Sequence, residues 1–137
     1  KKIILPDSIT AIGESAFSNC SSLQKVDLSK SLISIEERAF YLCLELSEIT
    51  IPSSITTIEK NTFSSCSKLR KITIPSSVTT IKEGAFSSCK SLTSIDIPSS
   101  VTLIEKKAFY GCKCLENINI SSSITSIENN TFECCFS

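Results

Sequence analysis

The sequence predicts a solenoid of six stacked 23-residue repeats, mainly β, with short helical or 3₁₀ turns. Three observations carry this. Phe recurs at Phe17, Phe40, Phe63, Phe86, Phe109 and Phe132, always 23 residues apart. Cys follows three residues later at Cys20, Cys43, Cys66, Cys89, Cys112 and Cys135. Apolar ladders keep the same phase without an insertion, including Ile12, Ile35, Ile58, Ile81, Ile104 and Ile127. An exact period of this length marks a stacked repeat architecture.

Each repeat opens on a strand. In Leu69-x-x-Ile72-x-Ile74 the apolar residues alternate as they do in a strand with one buried face, and Pro75 removes a donor and stops the pairing. Pro6, Pro52 and Pro98 share that phase, while Ser29 and Ser121 replace it in two units. A Ser at one phase in all six units, Ser8 to Ser123, reads as a turn hydroxyl bonded to nearby backbone rather than as a nucleophile. A short extended piece such as Thr79-Thr80-Ile81 comes next. A compact helical or 3₁₀ turn such as Gly84-Ala85-Phe86-Ser87-Ser88-Cys89 closes the unit, with acidic residues such as Glu37, Glu83 and Glu105 placed to meet its N-terminal dipole.

One unit cannot fold alone. Its seven or eight large apolar side chains contribute on the order of 10 to 20 kcal/mol, against about 1 to 2 kcal/mol for each ordered residue. Stacking covers each unit's apolar edges and satisfies its strands, so stability becomes a nearest-neighbour sum along a rod. At about 4.8 Å per strand step, six repeats span roughly 25 to 30 Å.

Composition narrows the function. The 137 residues fit one domain, 1–137, and Lys plus Arg equals Asp plus Glu at 14 each, so no global field draws in nucleic acid. No apolar run approaches the roughly 18 residues of a membrane span. The chain has no initiator Met and stops one residue short of six whole units, which reads as a piece of something longer, with any export signal outside it. With no His, a Ser or Cys nucleophile lacks its usual base, so an enzyme is not expected. Three glycines, Gly13, Gly84 and Gly111, make no phosphate-cradling loop. No Cys-x-x-Cys pair and no His occur, so zinc is not expected, and no cofactor is expected either.

Written as Ile72-x-Ile74-Pro75-x-Ser77-Val78-Thr79-x-Ile81-x-x-x-Ala85-Phe86-x-x-Cys89-x-x-Leu92, the unit resembles the BspA-like leucine-rich repeat family across essentially the whole chain. The resemblance implies a curved leucine-rich repeat solenoid with a long parallel sheet on its concave side. It also implies a cell-surface or secreted protein that adheres to host matrix proteins or cells. The chain departs from the family where a Gly commonly follows the ladder Ile: Gly13 keeps it, but Glu36, Glu59, Lys82, Glu105 and Glu128 do not.

Six of the eight cysteines lie on the ladder beside Phe and read as core thiols. Cys114 and Cys134 lie off it, near the surface, either bridged to each other or free. The outward strand positions vary while their neighbours do not. They run Lys2, Lys25, Glu48, Lys71, Ser94 and Asn117 in one column, and Ile4, Asp27, Thr50, Thr73, Asp96 and Asn119 in the next. This is the expected recognition face for a protein ligand. A second candidate is the apolar stretch Tyr41-Leu42-Cys43-Leu44, with Tyr110 at the phase of Tyr41. Sequons stand at Asn19, Asn119 and Asn129 and matter if the protein is exported.

The expected function is therefore a non-catalytic protein-binding module, with adhesion implied by the resemblance. An intracellular scaffold is the rival, since many unpaired cysteines suit a reducing cytoplasm. A structural role is the third reading: neither Lys1-Lys2-Ile3-Ile4-Leu5 nor Glu133-Cys134-Cys135-Phe136-Ser137 resembles a polar cap, so a homodimer through the solenoid ends is expected.

Overall fold

The computed structural model describes residues 1–135, so Phe136 and Ser137 of the expected C-terminal end lie outside the described residues. Two sets of short strands recur along the solenoid, six strands in the first set and five in the second among the described residues. The first set is β1 (Lys2–Ile4), β3 (Lys25–Asp27), β5 (Glu48–Thr50), β7 (Lys71–Thr73), β9 (Ser94–Asp96) and β11 (Asn117–Asn119). The second is β2 (Ala11–Ile12), β4 (Ser34–Ile35), β6 (Thr57–Ile58), β8 (Thr80–Ile81) and β10 (Leu103–Ile104).

All strand pairing is parallel, and every registered pair is 23 residues apart, as in Lys2↔Lys25 and Ile49↔Ile72. The first set pairs in the order β1-β3-β5-β7, continued by β9-β11; the second pairs as β2-β4 and β6-β8-β10. The expected strand at Ile72 and the extended piece at Thr80-Ile81 both form. The middle residue of each inner first-set strand, Val26, Ile49, Ile72 and Ile95, points inward and is buried. A one-residue slip would turn all of them to solvent, so the alternation fixes the register.

The turns around Phe correct the sequence reading. Among the described residues there is no helix. The reason is a pair of left-handed residues, two before and two after each Phe: Ser15 and Asn19, Arg38 and Leu42, Asn61 and Ser65, Gly84 and Ser88, Lys107 and Gly111, Asn130 and Cys134. A left-handed residue cannot propagate a right-handed helix. Backbone donors therefore alternate between bonds inside the turn and bonds to the next repeat. Ala16 N–H donates to Gly13 O and Ser18 N–H to Ser15 O, whereas Ser15, Phe17 and Asn19 donate to Glu37, Ala39 and Tyr41.

Without a helix there is no terminal dipole for the acidic residues to meet. They act between repeats instead. The Glu105 carboxylate accepts from Glu83 N–H, the Glu128 carboxylate from Lys106 N–H, and Lys82 pairs with Glu59 at 2.7 Å. The recurrent Ser also bonds across repeats: Ser77 Oγ donates to Ile55 O and Ser100 Oγ to Val78 O, each at 2.6 Å. Ser54 makes the same bond to Leu32 O.

The core is a row of rings. From Phe17 to Phe132, successive centroids lie 5.3 to 5.7 Å apart with near-parallel planes. Phe40, Phe63, Phe86 and Phe109 are fully buried, while Phe17 and Phe132 at the two ends are half-buried. Beside this row Cys43, Cys66, Cys89 and Cys112 are fully buried. Each thiol donates to the carbonyl of a Phe one repeat back, Cys43 to Phe17, Cys66 to Phe40, Cys89 to Phe63 and Cys112 to Phe86, at 3.1 to 3.2 Å. These carbonyls already accept from the Cys N–H in their own turn. The small thiol thus fills a core space and occupies the second lone pair of a buried carbonyl.

Candidate functional site

The first set of strands presents its outward residues on one face of the rod. Lys25, Glu48, Thr50, Lys71, Thr73, Ser94, Asp96, Asn117 and Asn119 are exposed, and Asp27 is half-buried. Their variety costs the fold little, because the inward Val and Ile between them hold the strands. Over β3, β5 and β7 Lys25, Asp27, Glu48, Thr50, Lys71 and Thr73 line a groove of about 400 Å³ together with Lys30 and Pro52.

Charges on this face interlock between repeats. Lys2 pairs with Asp27 at 2.7 Å and Lys25 with Glu48 at 2.6 Å. The hydrogen bond from Lys25 holds the Glu48 carboxyl below the usual carboxylate range, and the same bond raises Lys25 above the usual lysine range. Lys71 adds a favourable field at Glu48 and forms no ion pair of its own among the described residues. Toward β9 and β11 the face becomes polar and uncharged except for Asp96, which accepts from Asn119 Nδ2 at 3.4 Å.

In the apolar candidate Tyr41 and Leu42 are half-buried, Leu44 is exposed at 38%, and half-buried Tyr110 stands three repeats further along the rod. A more exposed apolar side chain, Ile33 at 68%, lies on the flank, in a column otherwise made of Thr10, Thr56, Thr79, Thr102 and Thr125. The misfit in that column was visible in the sequence, but the column reads as outward only once the second ladder of strands is placed.

Cys114 and Cys134 are exposed free thiols. Cys134 Sγ approaches the Tyr110 hydroxyl at 4.0 Å, and this contact raises the Tyr110 phenol above its usual range. The sequon residues Asn19, Asn119 and Asn129 are all exposed. Among the described residues no group of His, Cys, Asp or Glu is arranged to hold a metal ion, and no helix is long and apolar enough to cross a membrane.

A family model described as the BspA type leucine-rich repeat region matches in six copies, over residues 1–113 and 80–137. No curated protein matches the chain. Among solved structures, a leucine-rich repeat protein from T. pallidum superposes with a TM-score of 0.94 at 31% identity, over 98% of this chain and 65% of that one. One from Bacteroides ovatus gives 0.90 at 30% identity, over 93% of this chain and 36% of that one. A leucine-rich cell surface protein from Faecalibacterium prausnitzii gives 0.57 at 26% identity, over 98% and 57%. The chain thus spans roughly a third to two thirds of the length of these proteins.

Proposed function

The chain belongs to the BspA-type leucine-rich repeat family, and on that footing we propose that it is a non-catalytic module binding a protein ligand through the face formed by β3, β5, β7, β9 and β11. The observation that carries this reading is the contrast within each strand. Ile49, Ile72 and Ile95 repeat inside, while Glu48, Lys71 and Ser94 differ outside, so specificity can change without disturbing the stack. Lys25, Asp27, Glu48, Thr50, Lys71, Thr73, Asp96, Asn117 and Asn119 are the contact residues of this reading. Its biological setting is adhesion at a cell surface, to a matrix or cell-surface protein. The family and the cell-surface protein of similar fold support that setting.

Site-specific photo-crosslinking tests the face. A crosslinker at Thr50 or Thr73 is expected to capture a partner that the same group at Thr79 or Thr102, on the flank, does not. Equal capture from both faces would remove the sheet from the account. Leu44, with Tyr41 and Leu42 beside it, is the secondary contact surface, and a crosslinker at Leu44 tests it in the same experiment.

An intracellular scaffold is the second reading, favoured by eight free thiols. Surface labelling of intact cells separates the two: external exposure supports adhesion, and protection from the label supports the scaffold. Self-association through the solenoid ends is the third reading, consistent with the nearest-neighbour stacking of repeats. It requires sedimentation to show an assembly larger than the monomer at high concentration.

A further inference from the structure

We propose that the groove over β3, β5 and β7 takes an extended, carboxylate-rich protein segment, with Lys30 and Lys71 as its anchoring cations. The inference rests on the sheet being the binding face and adds the chemistry of the partner.

Not every cation on this face is available. Lys2 is committed to Asp27 at 2.7 Å and Lys25 to Glu48 at 2.6 Å. Lys30 and Lys71 line the same groove, are exposed, and form no ion pair among the described residues. Arg70, exposed beside Lys71 and likewise without an ion pair, lines the adjoining surface over β7 and β9. The excess positive charge is therefore confined to the first four repeats, because beyond them the sheet offers Ser94, Asp96, Asn117 and Asn119. Complementary charge at such a surface chiefly sets the association rate and the sign of the partner.

The floor decides which anion fits. Glu48 and half-buried Asp27 neutralise Lys25 and Lys2, so the groove offers two separate cations rather than a continuous cationic strip, and a uniformly dense polyanion such as a sulfated sugar chain leaves most of its charges unmatched. Thr50 and Thr73 offer exposed hydroxyls in the same groove. An extended peptide matches this floor: side chains at alternate positions share one face, so its carboxylates meet Lys30 and Lys71 while the backbone between them lies over the Thr50 and Thr73 hydroxyls. The partner is thus an acidic protein segment rather than a polysaccharide.

The test uses a fluorescein-labelled octapeptide of alternating Glu and Thr, read by fluorescence anisotropy at low salt. Binding is expected, weakened by salt, and weakened about tenfold more in Lys30→Gln/Lys71→Gln. The control Lys90→Gln/Lys107→Gln, which removes two exposed lysines from the turns, is expected to bind as the parent does. The proposal is overturned if the octapeptide does not bind, if a Lys-Thr octapeptide binds as well, or if both double variants lose equally. It is also overturned if a heparin fragment binds more tightly and shows the same dependence on Lys30 and Lys71. Capture from Thr50 or Thr73 in the crosslinking experiment would persist in any of these cases, so the binding face and the acidic partner fail separately.

Discussion

At the scale of single residues, the left-handed positions flanking each Phe decide the turn, and they divide sharply by residue type. Gly84 occupies one at a φ of 63°, and a Cβ there would press on the movable side-chain oxygen of Asn61, so Gly84→Ala meets chiefly backbone strain. It is expected to lower stability by more than about 1 kcal/mol. Lys107 holds the same phase at a φ of 58° and is exposed, so Lys107→Gly is expected to be neutral or to gain up to about 1 kcal/mol. Urea denaturation of the two variants checks both signs. This alternation escaped the sequence reading because Ser, Asn, Arg, Leu, Lys and Cys share these phases with Gly, and only Gly and Asn advertise a left-handed backbone. The core thiols, in contrast, were legible from their spacing to Phe. What the spacing could not show was the bond each makes to a carbonyl one repeat away. Burial pushes Cys43 and Cys112 up to about 12 and raises Cys66 and Cys89 further, so these four thiols are not nucleophiles at neutral pH. Maleimide labelling of the native, unreduced protein is expected to modify Cys114 and Cys134 rapidly and these four only after denaturation. Labelling of neither exposed thiol until a reductant is added would mean that they are bridged. Because four of the six ladder thiols are shielded, their number is compatible with an oxidising exterior, which weakens the one compositional feature that favours a scaffold.

At the scale of the strand and its rung, like columns are joined by alternating charge. Lys25–Glu48, Glu45–Lys68, Glu59–Lys82, Lys60–Glu83 and Glu83–Lys106 all link residues 23 apart. These pairs are largely exposed, so each contributes little and is screened by salt. At Glu59-Lys60 against Lys82-Glu83 they also favour the register, because a one-residue slip sets Glu59 beside Glu83 or Lys60 beside Lys82. The hydrogen bonds from Lys25 and Lys60 hold Glu48 and Glu83 below the ordinary value of 4.5, so their contribution is complete above 4.5 and lost as pH falls through the depressed values. Lys25 and Lys82 are held above 10.5, so theirs is complete below 10.5 and lost as pH rises through the raised values. Thermal melts are therefore expected to show a flat maximum between those limits and a decline on either side, shallower at high salt. The strands themselves could be read from the sequence because their period of two is interrupted by Pro at a constant phase. The break in sheet pairing between β7 and β9 could not, since Lys71 and Ser94 obey the same pattern as the paired rungs.

Over the whole molecule, each repeat is stabilised by the neighbour on either side and by nothing more distant. Phe86, stacked on both faces and fully buried, is therefore worth more than Phe17, stacked on one and half-buried. Phe86→Ala is expected to cost about 3 to 5 kcal/mol and Phe17→Ala distinctly less, measured by denaturant unfolding. The fold was legible because an exact 23-residue period leaves one way to bury Phe, Cys and the Ile ladders together. The binding face was legible only as the set of positions the core leaves free. Which of its cations are already paired depends on side-chain geometry that no spacing encodes. Everything assigned to that face presumes an unbroken stack, and nuclear Overhauser spectroscopy with labelled Phe rings examines the stack directly. Ring separations of 5.3 to 5.7 Å predict cross-peaks between rings 23 residues apart, from Phe17 to Phe132 in sequence, and none between rings two repeats apart. Missing neighbour contacts in the middle of the series, or contacts that skip a repeat, would contradict the account.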